Sequence, residues 1–261
     1  MNGTVSQFAG DYCEWAPDAA LSEHVRCLWV NDLSLGPART IQVVPDGCVD
    51  IVWTRDSLRV AGPDTRAWQE QLAPRSLVVG IRFQPGVASA WLGVPLTEIL
   101  NARIALAEFW GGEADRLFDR ASGSADAAPS DVTRIAAHLE AALLARLPAV
   151  GPADRGIGFV RQIAERRRCS RDEGMQALAG RIGLSERTLR RRCVDAFGYG
   201  FKTLDRIMRF QRFFRLVSAS AHPRLAELAD QAGYADQAHL TREVQRLCGA
   251  TPRELVAQLW E

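Results

Sequence analysis

The C-terminal half of the chain contains one short pattern twice, about fifty residues apart. In each copy a short helical segment leads through a glycine and a turn into a second helical segment with leucine on its inner side. This order is the signature of a helix-turn-helix unit. The corresponding residues are Gly183 with Gly233, Leu189 with Leu240, Arg191 with Arg242, and the C-terminal glycines Gly198 with Gly249. The repeat predicts an all-α half built from two such units.

A longer amphipathic segment, residues 201–217, connects the two copies. Its apolar side predicts a buried helix that would hold the two units at a fixed separation. Units placed about 34 Å apart can enter successive major grooves on one face of a DNA duplex. The basic residues on its other side are Lys202, Arg206, Arg209, Arg212 and Arg215.

The N-terminal half is β-rich, because short runs of β-branched and aromatic residues alternate with Gly/Pro turns. The predicted strands are residues 25–30, 40–44, 48–53 and 76–83. The second of these runs ends at the turn Pro45-Asp46-Gly47, and the fourth ends at Gln84-Pro85-Gly86. This spacing favours a sandwich or small barrel, so the whole chain is predicted to be α+β.

The boundary between the halves is expected in a pattern-free stretch, residues 121–129. We predict a β-rich domain over 1–120, a linker with one helix over 121–152, and the double helix-turn-helix domain over 153–261. The linker helix carries an apolar stripe from Val132 to Leu147. Dimerisation and packing between the domains explain this stripe equally well.

Charge is divided unevenly between the two halves. The whole chain has 32 basic and 31 acidic residues. Residues 1–150 hold 12 arginines and 18 acidic residues, a net charge of −6, whereas residues 151–261 carry 20 basic and 13 acidic residues, a net +7. This asymmetry suggests that the second half meets a polyanion; two solvated surfaces of opposite sign are the alternative.

The sequence predicts a cytoplasmic protein without membrane contact, because it shows neither a signal peptide nor a long apolar run. The six cysteines are scattered, with no zinc-type spacing, so reduced thiols are favoured and neither a metal nor a cofactor is predicted. A sensor built from Cys13, Cys27 and Cys48 is the alternative. The six are Cys13, Cys27, Cys48, Cys169, Cys193 and Cys248.

Three segments of the C-terminal half resemble the AraC family of transcription regulators: residues 184–191, 233–242 and 249–252. The resemblance covers roughly residues 155–258 and departs at Gly198-Tyr199-Gly200-Phe201, where many members have Gly-x-Ser-Pro. The N-terminal half is similar to one sensor-domain type of this family in Leu28-Trp29, residues 45–51 and residues 80–86.

The resemblance implies that the second helix of each unit enters the major groove of double-stranded DNA. Arginine bonds guanine O6 and N7, and glutamine suits adenine N6 and N7. Arg191 and Arg242 could instead form surface ion pairs, and Asp236 is expected to order a helix start. The DNA-contacting candidates are Arg187, Arg190, Arg191, Gln237, His239, Thr241 and Arg242.

Six tryptophans of the N-terminal half are expected mainly in its core. The alternative is an aromatic-lined pocket for a small-molecule effector, with Trp29, Trp53 and Arg82 as candidate ligand contacts. Arg82 is equally able to pair with Asp46 or Asp50, and this structural role is favoured.

Together these features predict a sequence-specific transcription regulator whose N-terminal domain senses a small molecule or mediates dimerisation. RNA polymerase and a second copy of the chain are candidate partners. The alternative is a small-molecule-binding or enzyme domain with a helical interaction module. The sequence contains no Gly-rich phosphate loop or nucleophile elbow, so the chain is not predicted to be an enzyme.

Overall fold

The structure, a computed structural model, describes residues 4–5, 11–33, 37–123, 129–166, 174–219 and 224–260. It is α+β, as predicted, with the strands in the N-terminal half and helices throughout the described part of the C-terminal half. The strands are β1 (Thr4–Val5), β2 (Asp11–Trp15), β3 (Val25–Asp32), β4 (Arg39–Val43), β5 (Asp50–Thr54), β6 (Ser57–Ala61), β7 (Trp68–Leu72), β8 (Leu77–Phe83) and β9 (Arg103–Ala105).

The strands form two sheets. The larger is six-stranded with the order β2-β3-β8-β5-β6-β9, and the smaller is three-stranded with the order β1-β4-β7. Every pairing is antiparallel except that of β1 with β4. The four predicted strands correspond to β3, β4, β5 and β8.

The two faces of the six-stranded sheet have different partners, since side chains alternate along a strand. Leu28, Ile51 and Val79 belong to a buried cluster that also contains helix residues. Trp29 and Val52 lie next to them in sequence and pack instead with Ile41 of β4. One face therefore supports helices and the other faces the three-stranded sheet.

The helices that follow β8 in the chain cover the first face. They are α1 (Ala88–Leu92), a 3-10 helix (Leu96–Ile99), α2 (Ala107–Trp110), α3 (Gly112–Ser122) and α4 (Pro129–Val150). The stripe of α4 is buried in this layer through Ile135, Leu139 and Leu143. Burial of these side chains within the chain accounts for the apolar stripe of the linker helix.

Both repeat copies form two helices. The C-terminal helices are α5 (Arg155–Arg166), α6 (Met175–Arg181), α7 (Glu186–Phe197), α8 (Phe201–Ser218), α9 (Leu225–Ala232), α10 (Gln237–Cys248) and α11 (Pro252–Trp260). The predicted connecting helix is α8, and its buried residues include Leu204, Phe210 and Phe214. The helices share one apolar cluster, which is distinct from that of the N-terminal half.

The basic side of α8 is engaged within the protein. Arg206 pairs with Glu243 of α10, and Arg209 pairs with Asp205. Arg212 donates to the carbonyls of Ala232, Ala164 and Glu165, the first at 2.8 Å. Because the last carbonyls of a helix lack intrahelical partners, these contacts tie α9 and α5 to α8. In the part of the chain that the structure describes, no helix is both long and apolar enough to cross a membrane.

Candidate nucleic-acid interface and ligand cavity

The second helix of the first unit, α7, begins with a side-chain cap. Ser185 accepts a hydrogen bond from the Thr188 N–H through its hydroxyl at 3.2 Å, which satisfies one free donor of the helix start. Leu189 and Cys193 are buried on the inner side. The three candidate arginines Arg187, Arg190 and Arg191 are exposed on the outer side.

Arg190 is not free in this structure, since its Nε donates to Glu186 Oε1 at 2.8 Å. The pair joins exposed residues four apart on one helix, and such pairs contribute about 0.3–0.5 kcal/mol. Because this ion pair is weak, Arg190 can leave Glu186 and contact a phosphate or a base instead.

The second helix of the second unit, α10, is capped by an acid instead. Asp236 Oδ1 accepts from the His239 N–H at 2.6 Å, so Asp236 orders the helix start as predicted. Gln237 and Arg242 are exposed. Thr241 is half-buried, and its hydroxyl donates to the Gln237 carbonyl at 2.9 Å.

His239 is the candidate DNA contact that the structure ties most firmly to the protein. It is half-buried, its Nδ1 lies 3.4 Å from the Ala235 amide nitrogen that donates to it, and its ring meets Tyr234 edge-on at 5.4 Å. These contacts hold the turn between α9 and α10.

The C-terminal ends of both second helices dock on the N-terminal half. Behind α7, Gly198 (φ +79°) approaches so closely that a Cβ there would lie 3.0 Å from the Leu96 carbonyl oxygen. Phe197 lies against Gly86, where a Cβ would come within 2.6 Å of its ring. Both contacts require glycine and place α7 against α1 and the 3-10 helix.

Behind α10 the contacts are hydrogen bonds to the three-stranded sheet. The Ala67 N–H, just before β7, donates to the Leu247 carbonyl at 2.7 Å. The Gln42 side chain on β4 donates through Nε2 to the Cys248 carbonyl. These are the last two residues of α10, whose carbonyls have no partner within the helix.

A cavity of about 390 Å³ lies between the two sheets, within the usual size range of small-molecule sites. Its walls include Ile41 and Val43 of β4, Leu72 of β7 and Val52 of β5. The Trp29 indole lies over Gly80, where a Cβ would clash at 2.2 Å. Glycine at this point lets the indole lie flat on the sheet as part of the cavity wall.

The structure separates the three candidate ligand contacts. Trp29 and Arg82 line the cavity, and the Trp29 indole N–H donates to Asp50 Oδ2 at 3.1 Å. Trp53 instead points into the helix-covered core, where its indole N–H donates to the Ser122 hydroxyl at 3.2 Å. Trp53 follows Val52 on β5, and Val52 lines the cavity. Because adjacent residues of a strand face opposite sides, Trp53 faces away from the cavity.

Arg82 has the predicted structural partners. Its guanidinium lies 2.9 Å from Asp50 and 3.4 Å from both Asp46 and Glu14. The Asp50 carboxyl is buried, and this burial raises its pKa against the lowering effect of Arg82. Three carboxylates around one buried guanidinium fix the end of the cavity nearest β2 and the Asp46 turn.

The cysteines in the described residues are free thiols, and Cys169 lies outside these residues. Burial raises the pKa of Cys27 to about 12 and that of Cys48 well above its usual value. The thiolate is the reactive form, so these two residues are poorly suited to redox sensing. Cys13 is exposed.

Sequence reasoning did not find the residues that join the N-terminal half to α10. Gln42 is a polar residue between Ile41 and Val43 of β4, and it is buried. A buried amide must find a partner, and this is the signal that marks Gln42. Ala67 acts through its backbone and has no such signal.

Two parts of the sequence match known domain families. Residues 13–105 match a domain of unknown function (DUF6597), and residues 178–258 match a helix-turn-helix domain. The second match spans both helix-turn-helix units. The fold and this match define the class: a DNA-binding transcription regulator. The matched helix-turn-helix domain is of the AraC type.

Solved structures with low sequence identity also match. An apo variant of ToxT from Vibrio cholerae is 11% identical, with 89% of this chain and 97% of that chain covered and a TM-score of 0.49. The C-terminal domain of AraT, a response regulator from Geobacillus stearothermophilus, is 19% identical over 40% of this chain and 85% of that chain, with a TM-score of 0.36. Comparison with curated proteins gives no match.

Proposed function

We propose that this regulator reads a specific DNA sequence with the N-terminal ends of α7 and α10 in two successive major grooves. The observation that carries the proposal is the shared exposure of Arg191 and Arg242, which correspond in the two units. Both helices are capped at the exposed end and docked at the other. A recognition helix needs this combination, because its base-contacting side chains must be accessible while its other end is held in place.

The proposed roles follow from side-chain chemistry. Arg187, Arg190 and Arg242 pair with guanine, Gln237 pairs with adenine, and Arg191 contacts a base or a phosphate. Thr241 is proposed to contact a phosphate. His239 is proposed to touch DNA at the edge of the interface while it holds the turn through Ala235 and Tyr234.

The test starts with selection of duplexes by the full chain from a random pool, followed by binding measurements over a range of salt. Specific binding should fall steeply as salt rises, since each neutralised phosphate releases counterions. Arg242→Ala should weaken binding to the selected site by about 1–3 kcal/mol and relax one base position. Arg116→Ala on α3 removes the same charge from an exposed site outside the repeat and is the matched control. Binding that does not distinguish sequences would contradict the proposal.

We further propose that residues 1–120 sense a small molecule in the cavity, with Trp29 and Arg82 as contacts, while residues 121–152 connect to the DNA-binding part, 153–261. The cavity supports this because it has apolar walls with a few fixed polar groups. A panel of neutral, acidic and basic small aromatic compounds would be screened by thermal shift. Compounds that stabilise the protein should lose their effect in Val52→Trp, whose indole would occupy part of the cavity, and keep it in Arg116→Ala. Equal stabilisation of both variants would place binding elsewhere.

Partners and assembly complete the proposal. The regulator is proposed to act in the cytoplasm, with RNA polymerase as the protein that it assists or blocks. A homodimer is the proposed alternative role of the N-terminal half. Because Ile135, Leu139 and Leu143 of α4 are already buried, a dimer would use another surface. Sedimentation of the full chain with and without the selected DNA separates a monomer from a dimer.

A further inference from the structure

The two faces of the three-stranded sheet contact different parts of the molecule. On β4, Ile41 and Val43 line the cavity, whereas Gln42 between them reaches the Cys248 carbonyl of α10. The next residue, Val44, belongs to the apolar cluster of the C-terminal half. β4 therefore separates the cavity from the DNA-binding part by the thickness of one strand.

The neighbouring strand, β7, also lies between the cavity and α10. Glu70 and Leu72 line the cavity, and Ala67, just before the strand, donates its N–H to the Leu247 carbonyl. β4 and β7 are paired along their full length, from Arg39 opposite Leu72 to Val43 opposite Trp68. A shift of one strand must therefore move the other, and both hold the same end of α10.

The first recognition helix is held by different elements. The end of α7 contacts α1 and the 3-10 helix Leu96–Ile99, and residues of both are buried in the helix-covered core on the far side of the six-stranded sheet. Interiors of this kind are close-packed and yield little. The three-stranded sheet instead borders the cavity, so a molecule in the cavity would press on it.

From this asymmetry, and resting on the ligand sensing proposed above, we propose that the three-stranded sheet transmits cavity occupation to α10 while α7 stays fixed. A helix of twelve residues is about 18 Å long. A tilt at its docked C-terminal end therefore displaces the exposed end that carries Gln237 and Arg242. The ligand would thus set the position of the second recognition helix relative to the first, and with it the preferred DNA site.

The test mimics occupation with a side chain. Val52→Phe, on the wall opposite β4, enlarges a side chain that lines the cavity. Affinity would be measured for the duplex selected by the full chain, and for the same duplex with the block read by α10 scrambled. We expect Val52→Phe to change affinity for the intact duplex about tenfold, a usual size for coupled sites. Affinity for the scrambled duplex should stay within about twofold of the wild-type value.

The link through the sheet is tested by a pair of glutamines. Gln42→Met removes the donor to α10, and in this background the effect of Val52→Phe should shrink to about twofold or less. Gln84→Met removes a similar bond between the halves, in which Arg161 of α5 donates to Gln84. That background should leave the tenfold effect intact. An equal effect in both backgrounds, or an equal effect on both duplexes, overturns the proposal.

Amide hydrogen exchange gives a readout without DNA. In full-length protein, Val52→Phe should speed exchange of the Ala67 amide and the last turn of α10, and leave the end of α7 unchanged. Ala61→Leu, which enlarges a side chain on another strand of the same cavity, repeats the test if Val52→Phe unfolds the protein. Exchange that is unchanged in a folded variant overturns the transmission, whereas failure to bind DNA with the expected exchange overturns the proposed function alone.

Discussion

The two helix-turn-helix units share a backbone plan and differ in almost everything that touches their surroundings. In both, a capped helix start is exposed and a left-handed glycine closes the helix. The first unit places Arg187, Arg190 and Arg191 outward, whereas the second offers Gln237, Thr241 and Arg242. The first helix docks through close glycine packing, the second through hydrogen bonds to a thin sheet. The repeated fold therefore does not imply repeated function.

The largest expected difference concerns the capping glycines, Gly198 and Gly249. Both have positive φ, at +79° and +73°, so alanine costs about 1–2 kcal/mol at either. A Cβ at Gly198 would also press on the Leu96 carbonyl and Pro63, whereas one at Gly249 meets nothing within 4 Å. Gly198→Ala should therefore destabilise the protein by about 1 kcal/mol more than Gly249→Ala. Chemical unfolding measures the free energy of unfolding of both variants. Equal losses of stability would show that the contact of Gly198 with Leu96 and Pro63 is not tightly packed.

A second prediction compares Arg191 and Arg242, the arginines at corresponding positions. If each reads a base, alanine should cost about 1–3 kcal/mol and relax one position in its own block of the site. If one contacts a phosphate, its variant should lose affinity uniformly and reduce the salt slope by about 1. Binding to single-base variants of the selected duplex decides between these outcomes for each unit.

The third prediction concerns the capping side chains, Ser185 and Asp236. Each accepts a hydrogen bond from an N–H in the first turn. Ser185→Ala and Asp236→Ala should each cost about 1 kcal/mol of stability. The matched measurement is the free energy of unfolding of both variants. A much larger loss at Asp236 would indicate that the turn with His239 depends on it as well.

The smallest effect is expected from Glu186→Gln, which gives the first unit the residue that Gln237 supplies in the second. Loss of the exposed pair with Arg190 should cost about 0.3–0.5 kcal/mol of stability. Affinity for DNA should rise, because Arg190 is released and a negative charge near the phosphates is removed. Titration of the selected duplex tests this. A fall in affinity would show that Glu186 orients Arg190 for binding.

Sequence periodicity predicted the helices of the C-terminal half well, because local capping and spacing define them. Ser185 and Gly198 bracket α7 in the sequence as they do in the structure. The strands of the N-terminal half were harder to predict from the sequence. Strand β7 is largely polar, with Trp68 and Gln69 exposed, and an exposed polar strand lacks the apolar pattern on which strand prediction depends. Trp53 could not be separated from Trp29 as a cavity residue until the strand register was known.

By itself the sequence determined that the chain carries two helix-turn-helix units, since caps, glycine turns and buried leucines are local properties. The tertiary structure alone decided how those units are held. Gln42 and Cys248 are 206 residues apart, and Arg82 meets Glu14 across 68 residues. Contacts over such distances depend on the packing of whole elements, and no spacing along the chain encodes them. The cavity, the three-stranded sheet beside it and the docking of α10 are therefore features that only the tertiary structure decided.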